Sequence, residues 1–269
     1  MAIVKGFMQI TGSIKGVSFY TRRGSDKVIM RTKGGATKNQ IETSPKFVKT
    51  RRQMKQFGGA AKFASLSRYA FGGLHRLADY NLTPVLIKMG NSLMKLDTVS
   101  DFGKRNLMLS ENRQAFEGFN FNREYPFNSV LRILPRWELD REHLKGVVTF
   151  PRINTDIDLL NIQKLPFFRL IVVIGAVSDL TFNPVSDEYE AFVDGLHGHS
   201  STLTGNWYST QTIVPEHTMT VQMDGEKTEL LTDNVTLLLS MAVEFGNVGY
   251  TDQPVEVKYA GCGKVVGVR

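Results

Sequence analysis

The sequence predicts an α+β protein: a basic N-terminal β-hairpin plus helices over about residues 1–124, then an all-β, immunoglobulin-like sandwich over about 125–269. Three observations predict it. Residues 1–76 carry 16 Lys or Arg against Asp26 and Glu42, a net +14, and the rest carries 17 basic against 24 acidic residues, −7, which together give the chain's +7. Helix-period spacing with capping residues is concentrated before residue 120, whereas short alternating runs between turn residues dominate after about Tyr125. With 269 residues, 42% hydrophobic and 22% charged, the chain can bury a substantial core and is far from a disordered composition.

The first element expected is a hairpin or small meander over residues 1–35. Gly6, Gly12, Gly16 and Gly24 punctuate the runs Val17–Thr21 and Lys27–Thr32, and Gly34-Gly35 closes the unit. Alternation places Val28 and Met30 on one face and Lys27, Ile29 and Arg31 on the other. The basic turn Arg22–Asp26 contains glycine and predicts an exposed tip. A helix is predicted from Pro45 with Ser44 as its N-cap, since proline loses nothing at the first helical position. At 100° per residue Phe47, Met54, Phe57 and Ala61 share an apolar arc, and Lys49, Arg51, Arg52, Lys55 and Lys62 lie opposite. Gly58-Gly59 interrupts that pattern, and Phe57-Gly-Gly returns as Phe71-Gly-Gly. A second helix is predicted from Pro84 with Thr83 as cap, and a shorter one from Glu111 to about Phe119.

Eight strands are predicted beyond that point: 130–134, 146–150, 157–162, 167–174, 207–213, 218–223, 235–245 and 255–259. The clearest is 235–245, in which Val235, Leu237, Leu239, Met241, Val243 and Phe245 are apolar at period two. Leu238 and Ala242 make its second face less polar than a solvated face should be. Pro166, Pro184, Pro215 and Pro254 fall between the runs, as a strand reading requires.

Signals for catalysis are weak, and no enzyme, cofactor or small-molecule substrate is predicted. Gly-x-Ser-x-Gly, His-Glu-x-x-His and a Walker-type glycine loop are missing from the sequence. His197 and His199 could start a metal site with Asp194, His217 or Cys262, but the spacing fixes no third ligand, and a polar glycine-rich loop explains the pair. Cys262, the single cysteine, is expected to be a small buried residue rather than a nucleophile. Asp187, Glu188 and Glu190 around Tyr189 read as a solvated loop.

The stronger signal is the basic surface of Arg22, Arg23, Lys27, Arg31, Lys49, Arg51, Arg52, Lys55 and Lys62. It predicts a negative partner, and two partners fit. One is the acidic remainder of a neighbouring copy, which makes the chain a non-enzymatic structural protein that self-associates or scaffolds as a homo-oligomer or larger assembly. Glycine-punctuated N-terminal strands could add to a neighbour's sheet edge. The alternative is sequence-independent binding of nucleic acid through phosphate neutralisation. Helix aromatics on the apolar arc are expected to be core rather than base-stacking platforms. No membrane partner is expected, because the longest apolar run, about eight residues, is far below the roughly 20 of a spanning helix. One cysteine and no signal-peptide pattern point to the cytoplasm or an intracellularly assembled particle.

Two stretches carry a resemblance. Gly12-Ser-Ile-Lys-Gly-Val-Ser-Phe-Tyr with Ile41-Glu-Thr-Ser-Pro-Lys-Phe-Val-Lys-Thr-Arg resembles the opening of a group of uncharacterised Bacteroidota proteins. Val148-Thr-Phe-Pro-Arg-Ile-Asn, followed by Phe168-Arg-Leu-Ile-Val and Val177-Ser-Asp, is similar to the same group. The resemblance implies a bacterial or phage-related setting and the same two-part layout. It transfers no catalytic or binding residue.

Overall fold

A computed structural model describes residues 2–4, 11–22, 27–32 and 34–269. They fall into two compact units, Met1–Arg51 and Arg52–Arg269. The structure is mixed α+β, as expected. The compact division does not coincide with one near residue 124, because helices and sheets after Arg52 share a core. Among the described residues no helix is long and apolar enough to cross a membrane.

The first unit holds a four-stranded antiparallel sheet of β1 (Ala2–Val4), β2 (Gly12–Ile14), β3 (Val17–Thr21) and β4 (Val28–Thr32), in the order β1-β4-β3-β2. The hairpin or small meander expected at this position is the β2-β3-β4 part of the sheet, and β1 adds beside β4. Ile14 pairs with Val17, so Lys15-Gly16 is a two-residue turn, and Lys15 takes φ 47°. Val28 and Ile29 are both buried although alternation sends them to opposite faces. Helix α1 (Lys38–Thr43) was not expected; a capping box holds it, with the Thr37 hydroxyl accepting from the Gln40 N–H and the Gln40 side chain accepting from the Thr37 N–H. The tip residues Arg23–Asp26 lie outside the described residues.

A 3-10 turn, Pro45–Phe47, leads into the long helix α2 (Val48–Ala70), with Pro45 at its first position as predicted. Ser44 is extended but makes no side-chain cap bond. Helix α2 runs unbroken through Gly58-Gly59 and buries Gln56, Gly59, Ala60, Phe63, Ala64, Ser67 and Ala70. The predicted apolar arc is thus corrected: Met54 is 59% and Phe57 51% exposed. Smallness decided the buried side, since a Cβ at Gly59 would stand 2.7 Å from Met94 Cε and from the Tyr189 ring. The second Phe-Gly-Gly does a different job. Phe71 is fully buried, and Gly72 and Gly73 take φ 56° and 86° to end the helix. Helix α3 (Leu82–Met94) starts two residues before the predicted Pro84, because Asn81 rather than Thr83 is the cap and accepts from the Thr83 N–H at 3.0 Å. The short helix expected from Glu111 is a 3-10 segment, Ser110–Phe116.

Two sheets form the body. The small one orders β14 (His217–Gln222), β6 (Lys145–Phe150) and β5 (Arg136–Asp140). The large one orders β11 (Ser200–Thr204), β8 (Phe167–Ser178), β15 (Val235–Val248) and β16 (Pro254–Val268), with β12 (Tyr208–Ser209) also on β8. Two-stranded pairs, β7 (Ile153–Asn154) with β13 (Ile213–Val214) and β9 (Leu180–Asn183) with β10 (Glu188–Ala191), complete it. Strands predicted at 130–134 and 157–162 are not strands. Single helical turns, Phe127–Val130 and Thr155–Asp158, stand at those places, and only an isolated Leu131–Leu159 bridge joins them. Their apolar residues serve the core without joining a sheet. The predicted strand 207–213 is reduced to the short β12 and β13.

The large sheet has a core on each face. Leu170, Val172 and Ile174 of β8 and Leu237, Leu239 and Met241 of β15 meet Val148, Phe150, Met219 and Val221 of the small sheet. On the other face Ile171, Val173, Val177, Leu238 and Ala242 meet Ala60, Phe63, Leu74, Leu86 and Phe116 of the helical layer. Leu238 and Ala242, unexpectedly apolar for a solvated face, are therefore explained by the helices that cover them. Contact is closest at Gly175, where an added Cβ would lie 1.8 Å from the Ala70 carbonyl oxygen.

Candidate functional site

The basic residues singled out by sequence stand in different local surroundings. Arg23 lies outside the described residues. Arg22, Lys27, Arg31, Lys49 and Arg52 are exposed. Arg51 instead donates through Nη1 to the Ile41 and Ser44 carbonyls at 2.7 and 3.0 Å, tying the chain entering α2 to its first turns. Lys55 pairs with the Asp187 carboxylate, and Lys62 Nζ donates to the Tyr189 carbonyl at 2.9 Å. Charges already satisfied within the chain contribute little to phosphate binding, so the cationic surface is smaller than composition implies.

The two histidines also have separate surroundings. His197 Nδ1 accepts the Ser178 N–H at 2.9 Å, which leaves the proton of the neutral ring on Nε2, and His199 contacts Lys227. Among the described residues no group of three or more His, Cys, Asp or Glu converges. Burial, then the Lys62 ammonium, lowers His197 to about 4. The unfolded ring titrates near 6.5, so the unfolded state takes up the proton first and stability falls as pH drops from about 6.5 to 4. His197→Gln is expected to remove most of that slope, about 3 kcal/mol across the window. Urea midpoints at pH 7 and pH 4.5 check this, and an unchanged slope would refute it. Cys262 is buried as expected, and burial pushes its thiol up to about 12, so it is not a thiolate nucleophile near neutral pH.

Two features escaped the sequence reading. The first is a charge cluster. Glu244, 1% exposed, accepts from Arg169 Nε at 2.7 Å and from Arg76 Nη2 at 2.5 Å. Arg169 also reaches Glu256 at 2.9 Å and lies 4.4 Å from the Trp207 ring centroid. A lone Glu in an apolar strand was the available signal.

The second is a cavity of about 180 Å³ at a large bulge in β16. Glu244 faces Gly261 and Gly246 faces Glu256, so residues 257–260 stand opposite Phe245 alone. Tyr259 takes φ 61° and Gly261 φ 154° to make the detour. Leu160, Ile162 and Phe245 supply apolar wall. Asp79, Asn122 and Glu124 supply the polar part. Asp79 accepts the Arg123 and Glu124 N–H groups at 2.8 Å each and so fixes the loop that carries Glu124. Arg123 itself lies over the Tyr80 ring at 4.0 Å. Asn122 Nδ2 donates to the Leu77 and Gly261 carbonyls at 2.8 and 3.2 Å, which fixes the amide's orientation. Its buried Oδ1 has no hydrogen-bond partner among the described residues. The lining therefore brings the carboxylate residues Asp79 and Glu124 beside an apolar wall.

Comparison with protein-family models, with curated proteins and with solved structures returned no match.

Proposed function

We propose that the chain is a non-enzymatic structural protein that self-associates through the sheet of its N-terminal unit. One observation carries this reading. Among the described side chains of residues 11–51, only Val28 and Ile29 are buried, and β2 is exposed along its whole length. An edge strand exposed along its whole length is a template for another chain's backbone. A second copy is the occupant favoured by charge, since +14 over residues 1–76 meets −7 over the remainder. The exposed Met54 and Phe57 on α2 add apolar surface suited to a contact. The two-sheet body, which we read as a sandwich of immunoglobulin-like type, would be the rigid part of the assembly.

Light scattering on nucleic-acid-free protein tests the reading. A defined mass above that of one chain, lost when residues 1–35 are removed, is expected at low salt and to a lesser extent at high salt. A monomer at every concentration and salt would overturn it. Tight, steeply salt-dependent binding of unrelated oligonucleotides by that monomer would instead favour the nucleic-acid reading.

A further inference from the structure

We propose that the cavity beside the β16 bulge is a receptor for a lysine side chain, and that in the assembly its occupant is Lys15 from the hairpin tip of a second copy. The inference rests on the self-association reading for the source of the lysine, and on the cavity itself for its chemistry.

The cavity's polar groups are suited to a donor. Asp79 and Glu124 bring negative charge, and the Asn122 Oδ1 is a buried acceptor with no partner among the described residues. A buried carbonyl without a partner is costly, so its retention calls for an explanation. The orientation of that amide is set by two donations to main-chain carbonyls, so it cannot flip to relieve the cost without losing both. At about 180 Å³ the cavity falls below the roughly 300–1,000 Å³ of sites for drug-sized ligands and cofactors. It suits one long side chain with an apolar stem and a cationic head. Stem methylenes would lie on Leu160, Ile162 and Phe245, and the ammonium would reach the Glu124 carboxylate, with Asn122 beside it.

Lys15 is presented in a way that fits such a cavity. It stands at the tip of the β2–β3 turn, exposed, with a left-handed φ of 47° where Asn, Asp or Gly are the favoured residues. Holding lysine in that conformation costs stability with no return inside its own unit. Ile14 beside it is 57% exposed, so the tip offers an apolar residue next to a cation, the complement of the cavity's apolar wall and carboxylates.

Two measurements on the full-length chain test this. In the first, Glu124→Lys and Lys15→Glu are each expected to lower the assembled mass, and the two together to restore it, because the reversed charges meet again across the contact. Both positions are exposed, so neither change attacks the core. In the second, a labelled peptide of residues 11–22 is titrated into dilute protein. Glu124→Gln in the protein, or Lys15→Gln in the peptide, is expected to weaken binding about tenfold or more. If wild type assembles and Glu124→Lys assembles equally well, the cavity is not the receptor and self-association stands without it. If wild type is monomeric throughout, the assembly reading falls and the peptide decides. Binding lost in both Gln variants would keep the cavity as a lysine receptor, and no binding would overturn it.

Discussion

Glu244→Ala is expected to destabilise the body by about 3–5 kcal/mol. The carboxylate is 1% exposed and lies between two guanidinium groups, Arg76 and Arg169. Removing it leaves Arg169, only 18% exposed, with Glu256 as its remaining carboxylate and the Trp207 ring beside it. The cost is that of cations losing their buried counter-charge, and it exceeds the value of any surface pair on this chain. Lys55 with Asp187 is one such surface pair, 36% and 61% exposed, and its loss should move stability by under about 1 kcal/mol. A double substitution, Glu244→Leu with Arg169→Leu, should cost clearly less than the sum of the singles, because each removes the other's uncompensated charge. Urea titrations of the four proteins give the coupling. Strict additivity would mean that the cluster is not a unit.

Gly175→Ala is expected to cost about 3 kcal/mol or more. The added methyl would stand 1.8 Å from the Ala70 carbonyl oxygen and 2.6 Å from its carbon. Both are main-chain atoms, so no side chain can rotate out of the way. Gly175 also pairs with Ser200 on one side and Leu238 on the other, which prevents β8 from retreating. Gly58→Ala is the contrast. A Cβ there meets nothing within 4 Å, and alanine favours the helix, so a gain of up to about 1 kcal/mol is expected. Equal stability of Gly175→Ala and wild type would show that helix and sheet do not meet as closely as described.

Much of the fold was legible because its long elements obey one period. The β15 region, apolar at every second residue, was placed correctly, and Pro45 marked the approach to α2. The helix's buried side was not legible. Apart from Phe63 it is made of Gln56, Gly59, Ala60, Ala64, Ser67 and Ala70, and hydrophobicity ranks Phe57 and Met54 above those six. Closeness of approach selected that side, and closeness is a property of the partner surface. The apolar residues Val130, Leu131 and Leu159 misled for a related reason: they fill a core from helical turns and a single bridge. The cavity was hidden because its parts come from residue 79, from between 122 and 130, from between 160 and 163, from 245 and from 259–261, which no local pattern connects. Only Gly261-Cys-Gly hinted at it, by ending the alternation of β16 where the bulge forms.

The helical layer and the sheet it covers are widely separated along the chain, and that separation imposes an order of events during synthesis. Residues of α2 and α3 leave the ribosome well before β8, and about 170 residues before the end of β16. At typical elongation rates the helices wait roughly 10–35 s for the whole surface they pack against. Over that interval a strongly apolar α2 would invite aggregation. A packing side built largely from glycine, alanine and serine around a single phenylalanine, with six lysines and arginines elsewhere on the helix beside the exposed Met54 and Phe57, keeps the nascent segment tolerable in water until its partner strands arrive. The feature that hid the buried side from view is thus also what lets an early helix wait for a late sheet.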